Sequence, residues 1–410
     1  MKFGTALCFI AIFSTLIGAR AGAADWYRWR GPDMNGISTE TGWQANWPDD
    51  GPKQLWKAEV GTGFSSMAVS QGRVYTMGND GEKTDTVYCF DAATGAGVWK
   101  HSYASPLDPH YYEGGPSATP TVDGDRVYTL DRKGDLLCLD AAKGDLIWSK
   151  NVHRDWGDEI PDWGFASSPL VEGDLLILNV GSAGMGVNKK TGELAWHSAT
   201  TVAGYSTPII FDAGSARVAV MLCKQTVEAF NPEDGKSAWS YPWKTEYDVN
   251  AATPIYFDGK LFVSSGYEHG SALLHISSGK PVLVWQNKNF RNHIASSVLW
   301  QGYLYGVDDI SNTEYALKCV SWDTGEVKWT DPKFGKGTLI IAGGKILGLS
   351  DKGVLMVAEP SPAGFKPISQ AQVLGGKCWT TPVLANGRIY CRNAKGDLIC
   401  LDVSGKAAKD

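Results

Sequence analysis

Residues 91–99 read Asp91-Ala92-Ala93-Thr94-Gly95-Ala96-Gly97-Val98-Trp99, a polar turn followed by a tryptophan. Asp, Thr and Gly in this order are typical of a tight turn, because the polar side chains bond local backbone and glycine accepts a positive φ. The pattern returns with Asp140, Gly144 and Trp148. Tryptophan recurs at positions 56, 99, 148, 196, 239, 285 and 329, with spacings of 43, 49, 48, 43, 46 and 44 residues. The chain is therefore built from one repeated unit.

Each unit contains four short stretches of alternating apolar residues. The first stretch usually follows a Ser/Thr-Pro pair, as at Thr119-Pro120 and Thr253-Pro254. Two-residue turns such as Asp258-Gly259 come next, and turns of this kind join the strands of a hairpin. A four-stranded unit of this length is typical of a propeller blade, and no unit shows a sustained helical period.

The two ends of the chain complete each other. Residues 380–405 supply three strands of an eighth unit but no fourth, whereas residues 54–60 supply a fourth strand, with Trp56, and no others. We therefore expect an all-β fold, an eight-bladed β-propeller of four-stranded antiparallel blades whose ring is closed by the N-terminal strand. Closure of the ring would also remove exposed sheet edges.

The first 23 residues have the features of a signal peptide. Lys2 precedes the apolar run 6–17, and small residues lead to Ala23, after which we expect cleavage. Cys8 lies inside the apolar run rather than at the cleavage point, so a lipid anchor is not expected. No later stretch is long and apolar enough to span a membrane. We predict a periplasmic or secreted protein.

Four segments follow from these boundaries. They are a signal peptide at 1–23, an aromatic N-terminal tail at 24–53, the propeller at 54–405 and a short C-terminal tail at 406–410. The aromatic tail contains Trp26, Trp29, Trp43 and Trp47. We expect these four to pack on the ring, because so much exposed aromatic surface favours aggregation.

Composition excludes two broad classes. With 43% hydrophobic and 20% charged residues, the chain is not largely disordered. Its 38 basic and 44 acidic side chains give a net charge of −6. A nucleic-acid partner is not expected, because such proteins carry clustered positive charge.

Four of the cysteines occupy equivalent strand positions: Cys89, Cys138, Cys319 and Cys400. Other units place Gly, Ala or Leu at this position, so it is a packed core position and we expect free thiols. Cys378 and Cys391 flank one hairpin and are the one pair considered for a disulfide. Their pairing stays open at this point.

The repeat resembles the pyrroloquinoline-quinone-type (PQQ-like) propeller repeat, marked by Asp-x-x-Thr-Gly followed by Trp. The resemblance covers residues 54–405. The segments Trp29-Arg30-Gly31-Pro32 and 287–306 are similar to an exported bacterial subgroup likened to the outer-membrane assembly lipoprotein BamB.

The resemblance implies two functions. The first is a binding or scaffold protein, BamB-like, that serves cell-envelope assembly. The alternative is a PQQ-dependent dehydrogenase that oxidises an alcohol or a sugar, with PQQ and calcium in the central funnel. Such dehydrogenases typically carry an adjacent Cys-Cys pair, which this sequence lacks. We therefore favour the binding protein and expect no cofactor outside the alternative.

Long, unrepeated connections such as 101–115 and 151–165 fall on one face of the predicted propeller, and function concentrates on irregular loops of this kind. Residues that enter the inner strands from this face would line a funnel for a protein or small-molecule partner. The candidate residues are Tyr112, Trp163, Phe165, Tyr205, Asn250, His293, Lys336 and Trp379.

Neither catalytic residues nor a metal site is predicted. The histidines lack metal-ligand spacing, and no Gly-x-Ser-x-Gly elbow occurs. The acidic loop 153–163 carries four carboxylates and a histidine. That loop is interpreted as solvated, with cation binding as the alternative.

Overall fold

The computed structural model describes residues 25–405, except 278–279 and 312. Strands in these residues form eight sheets. Six consist of four consecutive antiparallel strands, and the other two each include one strand from the N-terminal segment. The prediction of an eight-bladed all-β propeller is confirmed. The predicted signal peptide and C-terminal tail lie outside the described residues. Within the described chain, no helix reaches the length and hydrophobicity that a membrane span requires.

The strands follow in chain order. The N-terminal segment gives β1 (Ile37–Ser38) and β2 (Gln54–Glu59). Blade 1 is β3 (Ala68–Ser70), β4 (Arg73–Asn79), β5 (Thr84–Asp91) and β6 (Gly97–Ala104). Blade 2 is β7 (Thr121–Asp123), β8 (Arg126–Leu130), β9 (Asp135–Asp140) and β10 (Leu146–Asn151), followed by helix α1 (Val152–Trp156). Blade 3 is β11 (Leu170–Glu172), β12 (Leu175–Leu178), β13 (Met185–Asn188) and β14 (Leu194–His197). Blade 4 is β15 (Ile209–Ala213), β16 (Ala216–Leu222), β17 (Thr226–Phe230) and β18 (Ser237–Pro242).

The remaining blades have the same form. Blade 5 is β19 (Ile255–Phe257), β20 (Lys260–Ser265), β21 (Gly270–Ser277) and β22 (Lys280–Asn287). Blade 6 is β23 (Val298–Trp300), β24 (Tyr303–Asp309), β25 (Tyr315–Ser321) and β26 (Val327–Asp331). Blade 7 is β27 (Gly337–Ala342), β28 (Lys345–Ser350), β29 (Val354–Glu359) and β30 (Lys366–Gln372). Blade 8 has β31 (Val383–Ala385), β32 (Arg388–Arg392) and β33 (Asp397–Asp402).

Strand β2 is the fourth strand of blade 8. It pairs antiparallel with β33, with Trp56 opposite Cys400. The first and last strands of the ring therefore share one sheet, and the predicted closure by the N-terminal strand is confirmed. A buried Trp56, 7% exposed, anchors this strand in the core shared by blades 8 and 1.

Tryptophans of the repeat join each blade to the next. Their indole Nε1 atoms donate hydrogen bonds to backbone carbonyls in the turn of the following blade. The donor and acceptor pairs are Trp56–Ala92, Trp99–Ala141, Trp148–Lys189, Trp196–Pro232, Trp285–Trp322 and Trp329–Ser361, at 2.7–3.1 Å. This recurring bond explains why tryptophan closes nearly every unit.

The turn that receives the indole has its own requirements. In blade 1, the Asp91 carboxylate accepts hydrogen bonds from the backbone N–H groups of Ala93 and Thr94. Gly95 has φ of 73°, and a Cβ there would lie 2.6 Å from the Trp56 ring. Glycine is required both for this backbone conformation and for contact with the indole. The Asp-x-x-Thr-Gly motif thus encodes the docking surface for the preceding tryptophan.

All seven cysteines in the described residues are buried free thiols. The prediction for Cys89, Cys138, Cys319 and Cys400 is confirmed, and Cys378 and Cys391 are also unpaired. Burial raises the pKa of Cys89 and of Cys400 to about 12. These thiols are therefore unreactive packing groups at neutral pH.

The N-terminal segment runs across the ends of the inner strands. Trp26 pairs with Val69 of blade 1, and β1 adds a fifth strand to blade 7, parallel to β27. Between them, Trp29 donates to the Thr253 hydroxyl at 2.9 Å. Trp26, Trp43 and Trp47 are buried. The segment therefore contacts blades 1, 5 and 7 and crosses the central channel.

We predict that Trp56→Ala lowers the free energy of unfolding by roughly 3–5 kcal/mol, as truncation of a buried aromatic side chain does. Leu55→Ala in the same strand is the control, because Leu55 is 37% exposed and its loss should cost far less. Urea denaturation of both variants measures the difference. Equal destabilisation would contradict the anchoring role of Trp56 in ring closure.

Candidate ligand-binding site at the channel mouth

Connections between blades, and between the second and third strands of each blade, lie on one side of the ring. We call this side the long-loop face. It carries the segments between β6 and β7 and between β10 and β11. A cavity of about 300 Å³ opens at its centre. The rigid inner strands fix the entry points of these loops, so their side chains meet over the channel.

Aromatic rings dominate the cavity wall. Those that line it are Trp29, Phe64, Tyr111, Tyr112, Trp163, Tyr205, Tyr267 and Trp379, together with His110 and His293. The structure thus brings together five of the sequence-predicted residues: Tyr112, Trp163, Tyr205, His293 and Trp379. Among the described residues that line this cavity, none is Asp, Glu, Lys or Arg.

Two predicted residues lie elsewhere. Phe165 is 1% exposed and packs in the core of blades 2 and 3. Asn250 is fully buried, donates to the carbonyl of Cys223 and accepts from the Ser265 hydroxyl. Successive side chains alternate in direction along an extended segment, so a residue that enters an inner strand can point into the blade rather than the channel.

Lys336 lies in a small side chamber rather than in the main cavity. Its Nζ is 4.2 Å from the centroid of Trp379 and 4.8 Å from that of Tyr315. Burial lowers the pKa of Lys336, although Asp309 and Asp351 oppose this effect. Lys377 also lies over Trp379, at 4.4 Å, and pairs with Glu113 at 2.8 Å. The lysines therefore support the indole through cation–π contacts.

Ring–ring contacts fix the walls. Phe64 stacks on Trp379, with 5.5 Å between centroids, and meets Tyr112 edge-on at 5.4 Å. On the other side of the cavity, the ring centroids of His110 and Trp163 are 4.5 Å apart. These separations are typical of favourable aromatic pairs, so the rings support one another in a preformed wall.

His293 is held by two neighbours. Its Nδ1 lies 2.9 Å from the Asp309 carboxylate, and its ring meets Tyr267 edge-on at 4.6 Å. Gly266 makes room for it, because a Cβ at position 266 would lie 2.8 Å from the Cβ of His293. The carboxylate thus fixes the orientation of the imidazole ring, with Nδ1 directed toward Asp309.

Tyr112 rests on a buried guanidinium. Arg132 is 1% exposed, contacts the Tyr112 hydroxyl, and lies 5.1 Å from the ring centroid. The Asp108 carboxylate forms a salt bridge with the Arg132 guanidinium, with 3.6 Å between Oδ2 and Nη2. Burial raises the pKa of Tyr112, so the phenol stays protonated at neutral pH.

Two buried carboxyl groups lie beneath the loop that carries Tyr111 and Tyr112. Asp131 accepts a hydrogen bond from Ser105 at 2.7 Å, and Asp85 accepts one from Asn79 at 2.6 Å. Burial raises the pKa of Asp85 to about 7 and that of Asp131 to about 6. The start of the loop is thus tied to two carboxyl groups whose pKa values lie well above the usual value for Asp.

Some lining residues were not predicted from the sequence. Trp29 comes from the tail, and Tyr267 from a connection within blade 5. Ser168, Thr207 and Thr253 line the cavity and belong to the repeated Ser/Thr-Pro pairs. That repetition was the available signal, since one hydroxyl recurs at the same depth in successive blades.

The acidic loop 153–163 is mostly exposed, in line with its interpretation as a solvated loop, because Asp155, Glu159 and Asp162 are exposed. Its fourth carboxylate is anchored. Asp158 is buried and bonds to His197 Nε2 at 2.9 Å. In the part of the chain that the structure describes, no three His, Cys, Asp or Glu side chains are grouped as a metal site requires.

The cavity does not fit PQQ with calcium. Calcium takes several carboxylate and carbonyl oxygens, yet the described lining contains no carboxylate. PQQ itself carries three carboxylates, and the nearest lysines, Lys336 and Lys377, are already engaged with Trp379. A buried anion without paired cations is costly. The residues present therefore suit an uncharged ligand.

The eight four-stranded blades, their Asp-x-x-Thr-Gly turns and their docked tryptophans define a PQQ-like propeller. The family described as outer membrane protein assembly factor BamB matches residues 39–110 and 83–331. The chain belongs to this family. No curated protein matches it by sequence.

Solved structures with the same fold include a BamB protein and several dehydrogenases. BamB from Moraxella catarrhalis is 18% identical, with 87% of this chain and 98% of that chain covered, at a TM-score of 0.65. Quinohemoprotein alcohol dehydrogenase from Comamonas testosteroni is 14% identical, with coverage of 94% and 82% and a TM-score of 0.65. A europium-containing methanol dehydrogenase is 12% identical, with coverage of 92% and 89% and a TM-score of 0.66. At these identities the likeness shows the fold alone.

Asp85 predicts a pH dependence of stability. Its pKa is raised on folding, so between about pH 4 and about pH 7 the unfolded chain releases a proton that the folded chain keeps. Stability from this group therefore falls as pH rises through that window and is level above it. Asp85→Asn, which is neutral throughout, should show a smaller loss of melting temperature between pH 5 and pH 8 than the parent.

The control for this experiment is Asp125→Asn, which changes an exposed carboxylate. It should retain the parent's pH dependence. If the melting temperatures of Asp85→Asn and of the parent fall equally between pH 5 and pH 8, the prediction that folding raises the pKa of Asp85 is wrong.

Proposed function

We propose that this protein is an exported, non-catalytic binding scaffold of the cell envelope that serves outer membrane protein assembly. The cavity on the long-loop face carries the proposal, because its wall combines aromatic rings with no charged side chain. Buried aromatic anchor sites with little charge are typical of protein-recognition surfaces. Membership of the BamB family supports the assembly role.

The rim extends this surface outward. Tyr111 is 93% exposed beside Trp163, and Tyr247, 57% exposed, lies 4.8 Å from Tyr267. Exposed aromatic side chains at the edge of a preformed cavity increase the contact area for a partner at low entropic cost. The opposite face is formed mainly by short turns such as Asp258-Gly259.

Site-specific photo-crosslinking tests the scaffold role. A benzophenone amino acid replaces Tyr111 on the rim or, as the matched control, Phe257, which is 57% exposed beside the short turn of blade 5. In the cell that makes the protein, position 111 should crosslink to outer membrane proteins or their assembly machinery, and position 257 should not. Equal crosslinking from both positions would reject the long-loop face as the working surface.

The dehydrogenase alternative makes a separate prediction. The lining supplies neither calcium ligands nor free cations. Addition of PQQ and calcium should therefore leave the tryptophan fluorescence of the protein unchanged, including the contributions of Trp163 and Trp379 in the cavity wall. Alcohols and sugars should then give no dye reduction. Saturable quenching by PQQ, with dye reduction, would overturn the non-catalytic proposal.

A further inference from the structure

We infer that the cavity at the channel mouth receives an uncharged aromatic side chain, Tyr or Trp, presented by a loop or extended segment of a protein partner. The inference rests on the proposed binding function and specifies the chemistry of the ligand. Four features of the cavity carry it: its size, its neutrality, its hydroxyl donors and its closed floor.

Size limits the ligand to about one ring system. The volume of about 300 Å³ is at the lower end of the range for small-molecule pockets, roughly 300–1,000 Å³. The wall presents ring faces and edges from connections all around the propeller, including Phe64, Trp163 and Tyr205. An inserted aromatic ring gains edge-to-face contacts that an aliphatic side chain of equal area lacks.

Neutrality excludes a charged group. None of the described lining residues is a carboxylate, lysine or arginine. Of the two lysines beside Trp379, Lys377 is paired with Glu113, and Lys336 lies in the side chamber over the indole rather than in the cavity. A charged ligand would lose its hydration without gaining an ionic partner. A side chain within a polypeptide, flanked by uncharged amides, meets this condition, whereas a chain terminus does not.

Hydroxyl groups supply the polar contacts. Three hydroxyl oxygens in the wall each accept one hydrogen bond, at 2.9–3.0 Å. Ser168 Oγ accepts from the backbone N–H of Thr119, and Thr207 Oγ1 accepts from the backbone N–H of Ser168. Thr253 Oγ1 accepts from the indole N–H of Trp29. Among the described residues none of these three hydroxyls donates to another group. Their protons are thus available to a phenol oxygen or a peptide carbonyl in the cavity.

The floor determines the direction of entry. Trp29 lines the cavity and is held by Thr253. The N-terminal segment pairs with blade 1 before Trp29 and with blade 7 after it, so the segment crosses the channel at this end of the cavity. A ligand therefore enters and leaves through the long-loop face. This geometry accommodates an inserted side chain and not a polypeptide threaded through the ring.

Ligand-detected NMR with blocked peptides tests the inference on the full exported chain. The probes are acetyl-Gly-Tyr-Gly-amide and acetyl-Gly-Leu-Gly-amide, with glucose and N-acetylglucosamine as non-peptide competitors. We expect saturable binding of the tyrosine peptide in the millimolar range suited to a ligand of this size. The leucine peptide should bind at least tenfold more weakly.

Two variants locate the binding. Trp163→Ala removes one wall, and Ala251→Phe fills the cavity, since Ala251 lines it. Both substitutions should weaken binding of the tyrosine peptide at least tenfold, whereas Phe257→Ala on the opposite face should leave its affinity unchanged. Circular dichroism checks that each variant is folded. One substitution removes a side chain and the other adds one, so the test still works if one of the two variants fails to fold.

Several outcomes would overturn the inference. They are equal binding of the leucine peptide, no binding of the tyrosine peptide, binding of a sugar alone, or full binding by Ala251→Phe. If any of these is found while position 111 still crosslinks to envelope proteins, the proposed scaffold function stands and the inference of an aromatic side-chain ligand is wrong. If the tyrosine peptide binds but crosslinking fails, the assembly role is wrong instead.

Discussion

The contact between a tryptophan of one blade and a glycine of the next is the interaction on which the whole ring depends. At five junctions among the described residues the indole lies on a glycine that has no Cβ to obstruct it, as Trp99 does on Gly144 and Trp148 on Gly192. A hydrogen bond from the indole N–H to the same turn fixes the angle between blades. Because five junctions among the described residues repeat this contact, their blades are held at similar angles, and the eight blades close a circle with a channel at its centre.

The sequence predicted the fold well because each blade repeats the same local signals. Asp91, Gly95 and Trp99 are close together along the chain, and their roles follow from turn chemistry and the size of the indole. The missing fourth strand of blade 8 predicted the closure by Trp56 in the same way. The path of the N-terminal segment was less predictable, because it has no repeat. Nothing local indicated that Ile37–Ser38 would add a parallel strand to blade 7.

The site was predicted in part, and the errors have two physical causes. Repeat spacing identifies which residues enter the inner strands, and so it identified Trp163, Tyr205 and His293. Spacing does not give the direction of each side chain, so Phe165 and Asn250, which lie in the core, were included as well. Trp29 was missed because its position depends on contacts with residues far away in the chain, such as Thr253.

The pairing of β2 with β33 has a consequence for the time course of folding. The two strands come from opposite ends of the propeller sequence, so blade 8 is incomplete until the ribosome has synthesised β33. Pairing between such distant segments is slow, because the loop-closure entropy is lost before the contacts form. During synthesis, β2 and its tryptophan must wait without their partner, exposed to aggregation or to chaperones. The strand that makes the finished ring durable is thus the one most vulnerable during its formation.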